Sequence, residues 1–150
     1  MSTFVTCETK LRTLAGGNAQ LVADLGAPPG MRWFDRRLVN DALQPGATCV
    51  RVKRVSTDQE GNQGGLALLE KVRFQIDVID YDPEVARSVA TDVDSFLSGV
   101  SLCSTTPTNP PSSPSYKLNQ RGDMDYRLKP PAYVETLDYR IWNRKDIPND

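Results

Sequence analysis

The sequence contains no histidine. Its absence removes the usual general base near neutral pH and the base of most nucleophile triads. Any zinc site would have to be built from cysteine and carboxylate alone. Cysteine offers little towards one: Cys7, Cys49 and Cys103 stand far apart, odd in number, with no C-x-x-C pair. They read as three reduced thiols of a cytosolic fold, so neither a disulfide framework nor a metal site is expected. No run of about 18 apolar residues occurs, so no membrane-spanning helix is expected. The opening "MSTFVTCETKLRTLAGG" lacks the basic segment and unbroken apolar core of a secretory signal. An excess of one charge is missing too. Lys and Arg number 18 against 19 Asp and Glu, leaving a formal charge of −1 and no global pull towards nucleic acid.

Motifs for covalent chemistry are also missing, since neither G-x-S-x-G nor S-x-x-K appears. "GNQGG" at 61–65 is glycine-rich, but no lysine and no helix start follow it, so it reads as loop and not as a phosphate cradle. No cofactor is implied. Asp77, Asp80, Asp82 and Glu84 could bind a hard cation, yet they lack EF-hand spacing, and helix capping accounts for Asp82 and Glu84. "RGD" at 121–123 resembles an integrin-binding tripeptide and reads here as a turn.

What is present suffices for one domain. A chain of 150 residues, 39% of them hydrophobic, can bury a single core. Residues 3–15 suit a short helix with Phe4, Val5, Leu11 and Leu14 inward, stopped by the glycines at 16–17. Asn18 caps a second short helix, "AQLVADL", that ends at Gly26. "MRWFDRRLV" reads as a short strand or extended entry segment. In residues 47–55 Val50 and Val52 alternate with Arg51 and Lys53, the pattern of a half-buried strand. In the next strand Val72, Phe74, Ile76 and Val78 share one face, and Arg73, Gln75 and Asp77 share the other. An antiparallel hairpin between 47–55 and 70–80 is expected, with a flexible loop over 56–69.

At "YDPEVARSV" the period changes from 2 to 3.6. Asp82 caps, Pro83 suits the first helical position, and Glu84 favours the positive end of the helix dipole. Val85, Val89, Val93, Phe96 and Leu97 make the apolar stripe, with Ala86 and Ala90 filling it and Gly99 closing the helix. "STTPTNPPSSPS", within 104–115, holds four prolines and nothing that drives collapse, so a mobile loop is expected. A strand around 116–120 and a turn at Gly122 follow. The last strand is 133–142, with Tyr133, Leu137, Tyr139 and Ile141 on one face. The expected class is α+β: an antiparallel or mixed sheet of about four strands, one main helix packed on one face, and short N-terminal helices. The uncovered face must then meet water or another subunit.

Charge is segregated along the chain. Residues 32–54 carry six basic and two acidic residues, a balance of +4; residues 77–94 carry six acidic and one basic, a balance of −5. Arg32, Arg36 and Arg37 belong to the basic stretch, which could touch phosphates but suits a solvated sheet face better. Opposed charge can equally mark surfaces that meet head to tail. The interface candidates are Arg51, Lys53, Arg54, Arg73, Asp77, Asp80, Asp82, Glu84 and Asp92.

The stretch "VRFQIDVIDYDPEVARSVATDVDSFLSGV" resembles the central signature of the tail terminator (tail completion) proteins of long-tailed bacteriophages. In that signature a strand of the form R-x-Q-x-D-V runs through a turn into a helix ending L-x-G. "VETLDYRIWNRKD" resembles the family's closing strand, and the order of elements fits outside 104–132. The resemblance implies a structural virion protein without enzymatic activity. It would be a homo-oligomeric ring, commonly a hexamer, at the head-proximal end of the tail tube. Its partners would be the tail tube protein and the head–tail connector or stopper, with DNA passing through the lumen without specific binding and no membrane. It would be made in the host cytoplasm and reside in the virion. The alternatives are another neck subunit and a small nucleic-acid-binding α+β module.

Overall fold

The computed structural model describes residues 6–35, 44–59, 69–100, 102, 115–128 and 130–144. They form α1 (Cys7–Gly16), α2 (Ala19–Leu25), β1 (Trp33–Asp35), β2 (Cys49–Gln59), β3 (Leu69–Asp80), α3 (Pro83–Leu97), β4 (Ser115–Asp125) and β5 (Ala132–Arg144). The five strands make one mixed sheet in the order β1-β2-β3-β5-β4, with only β1 and β2 parallel. The chain is α+β, as its periodicities predict, with five strands where about four are expected, β1 falling in the stretch that reads as a short strand or extended entry segment.

Period-2 patterning sets the two faces of the sheet. Val50 and Val52 of β2 and Val72, Phe74, Ile76 and Val78 of β3 are fully buried beneath the helices. Leu137, Tyr139 and Ile141 of β5 complete that face. The central hairpin pairs Val52 with Ile76 and Arg51 with Asp77. It is longer than expected. A bulge between Arg54 and Ser56 shifts the register, and the polar run Ser56, Thr57, Asp58, Gln59 goes on pairing with β3. Backbone ladders need no apolar side chain, so the stretch expected as loop from 56 begins as strand. Residues 60–68 lie outside the described part.

The three helices cover the buried face. Thr6 caps α1 by accepting from Thr9 N, Asn18 caps α2 by accepting from Leu21 N, and Asp82 caps α3 by accepting from Glu84 N. Pro83 stands at the start of α3, where its missing N–H costs nothing. Gly99 just past that helix has φ +87°, a left-handed backbone that favours glycine. The inward stripe of α3 is Ala86, Val89, Ala90, Val93 and Leu97. Burying Val89, Val93 and Leu97 contributes about 2 kcal/mol each. Trp33 meets Phe96 edge-on at 6.1 Å and tethers β1 to the helix layer.

Two inward assignments are corrected. Val85 is exposed, because α3 turns the smaller Ala86 to the sheet. Leu14 is exposed as well: α1 buries Cys7, Leu11 and Ala15, spaced four apart on one face, and Leu14 falls outside that stripe. Phe4 and Val5 lie outside the described residues.

The expected turn at Gly122 is also corrected. β4 runs unbroken through Gly122, and the reversal comes after Asp125. The RGD tripeptide is therefore mid-strand. Gly122 passes under Tyr133 and Glu135 of β5, where a side chain would collide with both. Glycine here answers close packing and not a turn. Most of the 104–115 segment lies outside the described residues; Ser115, its last residue, opens β4.

Candidate functional site

The sheet face away from the helices carries the chain's densest set of polar contacts among the described residues. Strand alternation places Arg51 and Lys53 of β2, Arg73, Gln75 and Asp77 of β3, and Thr136 and Asp138 of β5 on it. Arg121 and Asp125 of β4 join them, because Arg121 pairs with Thr136 and Asp125 with Ala132. At one end a small apolar patch of Cys49, Ile79 and Ala132 is covered by Phe34, Tyr81, Val134 and Leu128. Leu128 comes from the reversal between β4 and β5, which raises a rim over the face. Behind that rim lies a hollow of about 760 Å³ lined by Arg51, Lys53, Gln75, Asp77, Arg127 and Leu128, among others.

The charges form a layered arrangement. Asp77 accepts through one oxygen from Arg51 Nε at 3.0 Å and Nη2 at 2.7 Å. Its other oxygen accepts from Thr136 Oγ1 at 2.8 Å and Gln75 Nε2 at 3.3 Å. Asp138 takes Arg121 Nη1 at 3.2 Å and has Arg73 at 3.8 Å. Arg127 Nε reaches Asp125 at 3.0 Å. The carboxylates lie low: the Asp77, Asp138 and Asp125 side chains are 4%, 5% and 12% exposed. The guanidiniums stand above them, at 39% for Arg73, 56% for Arg121 and 88% for Arg127. Lys53 is exposed beside them. An approaching molecule therefore meets these cations and the exposed carboxylate of Asp123 on β4, with Asp77, Asp138 and Asp125 beneath fixing the guanidiniums.

The nine candidates from the sequence divide among several places. Arg51, Lys53, Arg73 and Asp77 come together on this face. Arg54 points the other way, donating from Nε to Glu8 of α1 at 2.5 Å. Asp80 is buried; it accepts from Thr48 Oγ1 at 2.5 Å and from Asp82 N at 2.8 Å. Asp82 caps α3, and Glu84 stands exposed in its first turn. Asp92 is half-buried beside Asp24 of α2. Of the basic stretch, Arg32 is structural, binding Thr48 O at 2.8 Å and Asp24 O at 3.1 Å. Arg36 and Arg37 lie outside the described residues. The two charged stretches are thus not two separate surfaces, since Arg51 of one pairs with Asp77 of the other.

Sequence reasoning missed Arg121, Asp125, Arg127 and Asp138. Parity along β5 could have found Asp138, two residues from Thr136. Parity could not find Arg121, because a bulge between Lys117 and Asn119 shifts the alternation of β4. Neither of the two thiols among the described residues is poised for attack. Burial, then Glu8, pushes Cys7 up to about 12, and burial pushes Cys49 up to about 11. Among the described residues no helix is long and apolar enough to cross a membrane.

No family model matches the sequence, and no curated protein matches it. Among solved structures, a chain from the virion of a native gene transfer agent particle shares the fold. It superposes with a TM-score of 0.62, covering 93% of this chain and 95% of its own length, at 16% sequence identity.

Proposed function

We propose that this chain is a structural subunit of a phage-like particle, closing with copies of itself into a ring at the head-proximal end of the tail tube. There it ends tube growth and presents the surface that meets the head connector. The observation that carries the reading is the fold shared, nearly end to end, with a chain of a gene transfer agent virion. The tail-terminator resemblance of residues 72–100 supports it independently of that superposition. So does the division of the domain into a covered and an uncovered sheet face, which suits repeated contacts between copies. On this reading the polar groups of the open face make contacts and no covalent bonds.

The test is the mass and shape of the purified chain, alone and mixed with tail tubes, by light scattering and negative-stain microscopy. A closed ring, free or seated on one end of the tubes, is expected. A chain that stays monomeric and ignores the tubes would overturn it. The cation-topped face also favours a second reading, a nucleic-acid-binding module. Duplex affinity that falls steeply with salt would mark that one.

A further inference from the structure

The geometry points to the two surfaces that meet between neighbouring copies: the cation-topped open face of one chain receives the acidic outer surface of α3 from the next. This rests on the ring reading and names its contact.

The open face shows four exposed cations, Lys53, Arg73, Arg121 and Arg127, against one exposed carboxylate, Asp123, while Asp77, Asp138 and Asp125 beneath are 12% exposed or less. Lys53 has no carboxylate partner among the described residues. On the opposite side of the domain, residues 82–97 hold four carboxylates and one guanidinium, a balance of −3. Asp82 and Glu84 stand exposed at the start of α3, and Asp92 and Asp94 lie half-buried along its flanks. Two cations stand by the helix, Arg87, 5.0 Å over the Tyr133 ring, and Lys117 of β4, paired with Asp94 at 3.3 Å, which leaves Asp82, Glu84 and Asp92 as the source of a net acidic field. Each surface also carries an exposed apolar group, Val85 on α3 and Tyr126 on the rim of the hollow. Complementary potentials steer such surfaces together and penalise the like-charged alternatives, face to face and helix to helix.

The two surfaces lie on opposite sides of one domain. A contact between them is therefore heterologous: each copy uses one surface forwards and the other backwards, and the chain of contacts can close into a ring. An isologous dimer would need a self-complementary patch, which neither surface is.

The experiment uses two charge-reversed full-length chains. One carries Lys53→Glu and Arg127→Glu on the open face; the other carries Glu84→Lys and Asp92→Lys on α3. None of these side chains belongs to the main apolar core, and circular dichroism checks that each variant folds. Sedimentation velocity at low salt reads assembly. Alone, each variant should self-associate about tenfold more weakly than the wild type or worse, because its two surfaces now repel. Mixed in equal amounts, the two should recover assemblies of wild-type size, since every junction is again complementary.

Variants that assemble alone as the wild type does would overturn the assignment while leaving the ring intact. So would a mixture that stays dissociated under conditions where the wild type assembles. A wild type that never self-associates, with or without tail tubes, would overturn the ring reading itself. Salt-sensitive duplex binding lost only in the open-face variant, with assembly unchanged, would make that face a nucleic-acid surface instead.

Discussion

Gly122 of β4 lies directly beneath the Tyr133 side chain of β5, so close that a Cβ at position 122 would overlap the tyrosine hydroxyl. Tyr133 cannot easily yield. Its hydroxyl donates to Glu135 Oε2 at 2.8 Å and accepts from Arg87 Nε at 3.3 Å, and Arg87 also covers its ring. Glu135 Oε2 itself would stand 2.5 Å from the added carbon. The edge strand is thus pinned to β5 by a small residue under a fixed ring, and Arg87 ties both to α3.

Gly122→Ala should therefore destabilise the fold by about 1–3 kcal/mol, the usual cost of forcing an atom into a packed site. Urea unfolding measures it. The same substitution in a Tyr133→Ala background should cost much less, because the obstructing ring is gone. Equal costs in the two backgrounds would show that the two residues are not coupled.

Glu8 and Arg54 predict a loss of stability in acid. Arg54 Nε at 2.5 Å and Cys7 Sγ at 3.2 Å both donate to the same Glu8 oxygen. Burial pushes the Glu8 carboxyl up, but the Arg54 and Cys7 hydrogen bonds and the Arg54 charge outweigh it, so it titrates below the usual 4.5. A folded pKa below the unfolded one means that the contribution is complete above about pH 4.5 and is lost as pH falls through the folded value. Glu8→Gln should flatten this part of the acid limb. Arg54→Met should cost about 2 kcal/mol at neutral pH, and less once acid has neutralised Glu8. An Arg54→Met penalty that is the same in acid would argue against the pairing.

Much of the fold was legible because its strongest signals are local. Alternation at Val72, Phe74, Ile76 and Val78, and the Asp82–Pro83 helix start, need no knowledge of partners. What escaped depends on neighbours. Nothing around Leu14 says that α1 buries Ala15 and leaves Leu14 outside. β4 has few apolar positions to show its parity, and its bulge hides which side chains share a face with β5. The open face was half visible: Arg51, Lys53, Arg73 and Asp77 follow from alternation, whereas Arg121 and Arg127 depend on register and on a reversal. The run of acids from Asp77 to Asp94 reads as one region in sequence, yet a strand and a helix distribute it over several surfaces.

The α1 correction carries its own test. Leu11→Ala removes a fully buried side chain and should cost about 2–5 kcal/mol, whereas Leu14→Ala should stay within about 0.5 kcal/mol. Thermal or urea unfolding of the two variants decides between the observed face of the helix and the face expected from the sequence. Comparable losses would mean that Leu14 packs after all.

Asp24 of α2 and Asp92 of α3 predict a stability change of the opposite sign. Two ionised carboxylates cannot donate to one another, and Asp24 Oδ2 is buried without a hydrogen-bond partner. Gln20 Nε2 offers the other oxygen only a long bond of 3.4 Å. Burial, then the hydrogen bond and charge of Asp92, pushes Asp24 up to about 6 from 3.8. With the folded pKa above the unfolded one, the favourable contribution is complete below about pH 3.8 and is lost as pH rises through about 6. At neutral pH the chain is therefore weakened by its own carboxylate pair. Asp24→Asn, whose amide can donate to Asp92 at any pH, should stabilise the fold at neutral pH by about 1 kcal/mol after discounting for solvent screening. The gain should shrink towards zero below about pH 3.8, where Asp24 is protonated. Urea midpoints of wild type and variant across that range test both parts, and a variant no more stable than the wild type at neutral pH would dissolve the pair.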